Sequence, residues 1–242
     1  MVRAAVLDDY QNVAMTFADW SPITRDVEVK VFDKPFANQA EVIKALQGFA
    51  DHCRYARAHP FPRKVIEALP DLKLLITTGA RNNSFDVKAL QPSAVLPSAA
   101  PASSAVPTTG IAFGLMLELT RRVGFENARL KAGAPWQVTI GRDLEGLTLG
   151  ILGLGKLGQR SATVGKAFGM KTIAWSQNLT PEKAQAGGAE LRHKGGPLPQ
   201  RGLVTIHLML SDRSRGLVGA KELGLMKKTS YLVNTSRGPD CR

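Results

Sequence analysis

Along the first 80 residues, short apolar runs alternate with segments whose apolar positions recur every three or four residues. "RAAVLDDY" predicts a first strand, "VEVKVF" a second, and "LKLLITTG" a strand that runs into a turn. In "QAEVIKALQGF", Val42, Ile43, Leu46 and Phe49 share one helical face. "FPRKVIEALP" repeats that spacing with Val65, Ile66 and Leu69, and Pro62 is placed at the first helical position. Strands alternating with helices predict a parallel sheet with right-handed crossovers.

The pattern then breaks. "QPSAVLPSAAPASSAVP" carries Pro92, Pro97, Pro101 and Pro107 among Ala and Ser, and reads as a linker or irregular loop. A long apolar helix follows, "TTGIAFGLMLELTRRV", with Thr108 or Thr109 as its cap. The domain boundary is placed near residue 105, giving units 1–105 and 106–242. Beyond it the alternation resumes. "LEGLTLGILGLG" contains a strand, "KLGQRSATVGKAFG" a helix and "MKTIAWS" a strand. "TPEKAQAG" starts a helix with Thr180 as cap and Pro181 behind it. "LVTIHLML" is a strand, "GAKELGLMKK" a helix and "SYLVNTS" a closing strand: a doubly wound α/β half.

Composition adds limits rather than direction. Hydrophobic content of 44% and charged content of 21% suit a globular α/β protein with two modest cores. No apolar run is long enough to span a bilayer. Asp8 and Asp9 interrupt any secretory pattern at the amino terminus. Cys53 and Cys241 supply neither a disulfide framework nor metal-ligand spacing, so a reducing cytoplasm is expected and no metal. The net charge of +12 raises a polyanionic partner. The charge is spread along the chain, however, without a dense basic run or interleaved stacking aromatics, which argues against nucleic acid.

Chemistry enters at "GLGKLG". Gly153, Gly155 and Gly158 have the spacing G-x-G-x-x-G, with a strand before, a helix after and another strand next. The first glycine allows a tight turn and the second lets backbone approach a pyrophosphate. The third lets helix and strand pack closely. The helix amino terminus adds free N–H groups for the diphosphate. An NAD site usually has Asp or Glu at the end of the next strand, about 20 residues on. Here stand Ser176, Gln177 and Asn178. Nothing there repels a 2′-phosphate, so NAD and NADP both remain open; the three residues could equally just cap the strand.

Taken together, "LEGLTLGILGLGKLG", "LVTIHL", "MKKTSYLVNTSRG" and "LKLLITTGARNNSFD" resemble the D-isomer-specific 2-hydroxyacid dehydrogenases, which include phosphoglycerate, glycerate and formate dehydrogenases. The resemblance implies a flavodoxin-like substrate domain followed by a Rossmann domain, and an oxidoreductase moving hydride between a nicotinamide and a 2-oxo or 2-hydroxy acid. It assigns Arg237 to the substrate carboxylate and carbonyl, a task suited to a planar, always charged guanidinium. Thr78 and Gly79 would offer backbone N–H groups to the same carboxylate, or form only a turn. Lys156 and Leu157 would lie at the pyrophosphate, Thr235 and Ser236 near the nicotinamide, and His207 along the cofactor cleft. A homodimer is implied as well, and the apolar circumference of "IAFGLMLEL" agrees with it.

The family's acid–base histidine and its glutamate follow the arginine motif, whereas this chain ends at Arg242. His52, His59, His193 and His207 all precede Arg237. The expectation is an incomplete dehydrogenase, impaired in catalysis; the alternatives are a non-catalytic dinucleotide-binding protein or a defective fragment. Three stretches also depart from the family pattern: "ADHCRYARAHPFP", "ALQPSAVLPSAAPASSA" and "ELRHKGGPLPQRG". Local shifts of reading frame would produce such islands, as would divergence.

Overall fold

In the computed structural model the described residues are 1–54, 60–77, 85–90, 96–99, 105–192, 202–209, 211 and 213–236. The chain divides into two compact units, Met1–Ser103 and Ser104–Arg242.

The first unit opens with β1 (Val2–Leu7), a short 3₁₀ turn (Ala14–Thr16), α1 (Ser21–Thr24) and β2 (Val27–Phe32). It continues through α2 (Gln39–Leu46), β3 (Asp51–Arg54), α3 (Arg63–Glu67), β4 (Leu74–Thr77), α4 (Val87–Leu90) and β5 (Leu96–Ala99). All neighbouring strands are parallel, in the order β2-β1-β3-β4-β5. This is the flavodoxin-like arrangement. β2 alternates half-buried and exposed positions over its first four residues, as an edge strand does. The helix expected at 39–49 forms because Asn38 caps it, accepting a hydrogen bond from Glu41 N at 3.0 Å. Its Val42 and Leu46 face a core with Phe49, Phe61, Ile66, Leu75 and Leu90.

Two expectations are corrected here. Residues 96–99 lie inside the stretch read as irregular, yet they form β5, with Pro97 opposite Leu75. β5 is the edge of its sheet, where the N–H that proline lacks is not needed by a further strand. Pro62 is the cap of α3 rather than its first residue, with an extended backbone at φ −71° and ψ 167°.

The second unit begins with α5 (Val106–Arg121) and α6 (Val123–Lys131), separated by Arg122 in the left-handed region at φ 52°. α5 starts earlier than expected. Pro107 occupies its first turn, where no amide is required, and Thr108 and Thr109 lie inside the helix. There follow β6 (Thr148–Leu152), α7 (Lys156–Ala167), β7 (Lys171–Trp175), α8 (Pro181–Ala186) and β8 (Glu190–Leu191). The unit closes with β9 (Gly202–Ile206), α9 (Ala220–Gly224) and β10 (Tyr231–Asn234). Its parallel order is β10-β9-β6-β7-β8, the doubly wound Rossmann topology, so both units are α/β. Every residue of β9 is buried, as befits a central strand covered on both faces. The core gathers Phe113 and Met116 from α5 with Leu149, Ile151, Ala162, Leu203 and Val233.

Candidate functional site

In the second unit the chain order reverses between β6 and β9, which lie side by side with Leu152 opposite Ile206. Ligands of open α/β sheets bind outside the carboxyl ends of the strands at such a switch point. The glycine-rich turn occupies this position, between β6 and α7.

Its three glycines do three different things. Gly153 has φ +98°, and a Cβ there would lie 2.8 Å from the carbonyl oxygen of His207. Only glycine lets the turn pass so close to the loop after β9. Gly153 N also donates to Trp175 O at 2.8 Å, tying the turn to the end of β7. Gly158 is buried in the first turn of α7, and a Cβ there would collide with the carbonyl oxygen of Gly153. Gly155 differs from both. It caps α7 with an ordinary φ of −80°, and a Cβ on it would meet nothing within 4 Å. Its side is open, and a side chain would fill space that a ligand can use. The first-turn amides of α7 have no acceptors within the helix and, with the helix dipole, favour an anion at this end. Lys156 is exposed beside them and Leu157 is half-buried.

Ser176 follows β7 directly and, with Asn178, lines a hollow of about 460 Å³ that also touches Gly155, Gln159 and Lys183. Gln177 is exposed and is not among its lining residues. Lys183 and Gln159 escaped the sequence reading. The available signal was Thr180, whose hydroxyl accepts from Lys183 N at 3.3 Å and so fixes where that residue leaves α8.

At the other side of the turn, His207 N donates to Leu152 O at 2.8 Å. The ring lies 8% exposed, with Nε2 2.8 Å from Ser161 Oγ and 3.1 Å from Thr205 Oγ1. Nδ1 is buried and has no hydrogen-bond partner among the described residues. Burial pushes the His207 pKa down to about 4, so the ring is neutral near pH 7. Ser161 was also missed. It is a small polar residue three positions after Gly158, on the face of α7 that packs against the sheet. Thr235, just past β10, carries another buried polar atom, Oγ1, that has no partner among the described residues. Its neighbour Ser236 donates through N and Oγ to Asn234 Oδ1 at 2.9 and 2.7 Å. The orphaned atoms of His207 and Thr235 follow the adjacent strands β9 and β10. Buried polar atoms without partners are uncommon, and their position at the switch point fits a polar ligand group.

The residues therefore fit a dinucleotide: an open glycine and helix terminus for the diphosphate, a polar hollow beyond β7, and orphaned polar atoms after β9 and β10. Gly153, Gly155, Ser176, His207, Thr235 and Ser236 all follow strands of this one sheet, and Lys156, Leu157 and Gly158 form the first turn of α7. Thr78, Gly79 and Arg237 lie outside the described residues. Among the described residues, no helix is long and apolar enough to cross a membrane.

Comparison with known proteins agrees with this geometry. Residues 113–241 match the model of the D-isomer specific 2-hydroxyacid dehydrogenase NAD-binding domain. The chain is 30% identical over 224 residues to a glyoxylate reductase of Aeropyrum pernix, covering 89% of this chain and 67% of that one. It is 34% identical over 179 residues to a D-3-phosphoglycerate dehydrogenase of Methanocaldococcus jannaschii, covering 73% of this chain and 34% of that protein. It thus spans between a third and two thirds of the length of these two relatives. Among solved structures, a phosphoglycerate oxidoreductase from Vibrio cholerae is similar over all of this chain and 78% of its own, with a TM-score of 0.91 and 32% identity.

Proposed function

Because the chain belongs to the D-isomer-specific 2-hydroxyacid dehydrogenase family, we propose that it serves as an NAD(P)-dependent oxidoreductase of 2-oxo and 2-hydroxy acids. The observation that carries this reading is the glycine turn at the β6/β9 switch point, with Gly155 open and Gly153 and Gly158 closed by backbone. A bound nicotinamide would supply or accept the hydride. The amides at the start of α7 would hold the diphosphate, and the groups after β9 and β10 would line the nicotinamide side. Arg237 remains the residue that the family resemblance assigns to the carboxylate of the acid. Glyoxylate is the first substrate to assay, since a relative bears that name.

Reduction also needs a proton for the nascent alkoxide. His207 does not provide it: the ring is neutral near pH 7, and its Nε2 is engaged by Ser161 and Thr205. A positioned acid contributes about 10²–10⁴-fold. The first reading is therefore dinucleotide-dependent reduction with a proton donor other than His207, and the second reading is a dinucleotide-binding protein without catalysis. Titration with NADH and NADPH, followed by assays on glyoxylate, hydroxypyruvate and pyruvate, tests both. Absence of dinucleotide binding overturns both readings. Rapid saturable turnover that disappears in His207→Gln overturns the exclusion of His207.

The proposed assembly rests on α5 and the segment after α6. Ile111, Leu115 and Leu119 recur every four residues and are exposed, while Ala112, Phe113 and Met116 fill the core. Trp136, Val138 and Ile140 are also exposed, Ile140 fully. A homodimer through this surface is the proposed state, since so much exposed apolar area is unusual on a monomer. Sedimentation at micromolar concentration should give twice the chain mass, and Leu115→Glu should give the monomer. A monomeric parent protein refutes it.

A further inference from the structure

We propose that the hollow beyond β7 is a subsite for a 2′-phosphate on the adenosine ribose, read by Lys183, so that the chain prefers NADP(H) over NAD(H). This rests on the dinucleotide reading above. The hollow lies between Gly155 and the end of β7, where the ribose of a dinucleotide falls in this topology. A carboxylate placed there selects NAD, by accepting from the ribose hydroxyls and repelling a phosphate. None of the lining residues is acidic. Ser176, Asn178 and Gln159 offer neutral donors, and Lys183 offers the charge.

Three further observations support the assignment. A neighbouring hollow shares Gln159, Ala186 and Gly187 and adds Lys156 and Arg160, again without a carboxylate. The ribose side of the turn therefore carries cations from two helices, facing a phosphomonoester of charge about −1.5 to −2 at pH 7. Lys183 takes part in none of the ion pairs found among the described residues. Its backbone is also held in place. Thr180 caps α8 at Lys183 N, and the helix end packs so tightly that a Cβ on Gly187 would stand 2.7 Å from Leu154 Cδ2. The lysine stem thus starts from a fixed point beside the glycine turn.

The test is equilibrium binding, which needs no turnover. The purified chain is titrated with NADPH and NADH by fluorescence, and with 2′,5′-ADP and 5′-ADP by calorimetry. The phosphorylated member of each pair should bind at least about tenfold more tightly, the worth of one charge-assisted contact. Lys183→Ala should weaken NADPH by about tenfold and leave NADH unchanged. Asn178→Asp, which installs the missing carboxylate, should reverse the preference. Equal or tighter binding of NADH, or equal weakening of both cofactors in Lys183→Ala, overturns the subsite and leaves the dinucleotide reading standing. Failure of all four ligands to bind overturns both.

Discussion

Replacing Gly158 by alanine separates the packing role of one glycine from the ligand role of another in the same motif. The added Cβ would collide with the Gly153 carbonyl oxygen and stand 3.0 Å from Gly153 C and 3.1 Å from Ile151 Cγ2. Two of these atoms are backbone of the turn beneath, so α7 itself must move. Overpacking of this kind costs about 1–3 kcal/mol, and an unyielding neighbour puts it near the upper end. Alanine recovers about 1 kcal/mol of helix propensity. The net loss is about 2 kcal/mol, a fall of about 4–8 °C in Tm. Gly155→Ala is the control. Its Cβ meets nothing within 4 Å and its φ is ordinary, so its poorer capping, about 1 kcal/mol, is largely offset by the lower entropy of the unfolded chain. Its stability should stay within about 1 kcal/mol of the parent. Its methyl, however, occupies the open side of the turn, and NADH and NADPH should bind at least about tenfold more weakly. Scanning fluorimetry and a fluorescence titration read the two effects. An unchanged Tm in Gly158→Ala, or undiminished binding in Gly155→Ala, would refute this division of labour.

Two further outcomes concern pH. Burial lowers the His207 pKa from 6.5 to about 4, so the folded state binds fewer protons than the unfolded one between those values. The neutral ring's contribution is present in full above pH 6.5 and is lost on acidification toward pH 4, by about 3 kcal/mol in all. Denaturant titrations of parent and His207→Gln across that range should show a steeper acid loss for the parent; parallel curves would remove His207 as the cause. Glu126, 9% exposed on α6, accepts from Thr139 Oγ1 at 2.5 Å, Thr139 N at 2.7 Å and Val138 N at 3.2 Å. The Thr139 hydroxyl foremost holds its carboxyl below the usual 4.5, against the opposing effect of burial. The anchoring is therefore present above pH 4.5 and fails below the lowered pKa. Glu126→Ala should speed amide exchange at Val138 and Thr139 at neutral pH, and unchanged protection would show that other contacts hold the segment.

Local patterns foretold much of this protein. Apolar periodicity and turn residues located β1, β2, α2, β4, α7, β7 and β10, because each draws on propensities that act within a few residues. Thr180 and Pro181 announced the start of α8 for the same reason. The spacing of Gly153, Gly155 and Gly158 pointed to the candidate site, since the tight turn at Gly153 and the close helix at Gly158 admit only glycine. What required the tertiary structure is whatever depends on residues far apart in the chain. Pro97 looks like a strand breaker until β5 is seen at a sheet edge. The apolar residues of "IAFGLMLEL" look alike in the sequence; packing buries Ala112, Phe113 and Met116 and leaves Ile111, Leu115 and Leu119 outside. His207 becomes a neutral ring because packing buries it, and it meets the Ser161 hydroxyl, 46 residues away in sequence, only because α7 packs against the sheet. Lys183 becomes a candidate ligand residue only because α8 folds back beside the glycine turn. The sequence states which residues can turn, pair or ionise, while the crossovers between strands decide which of them meet and how much water remains around them.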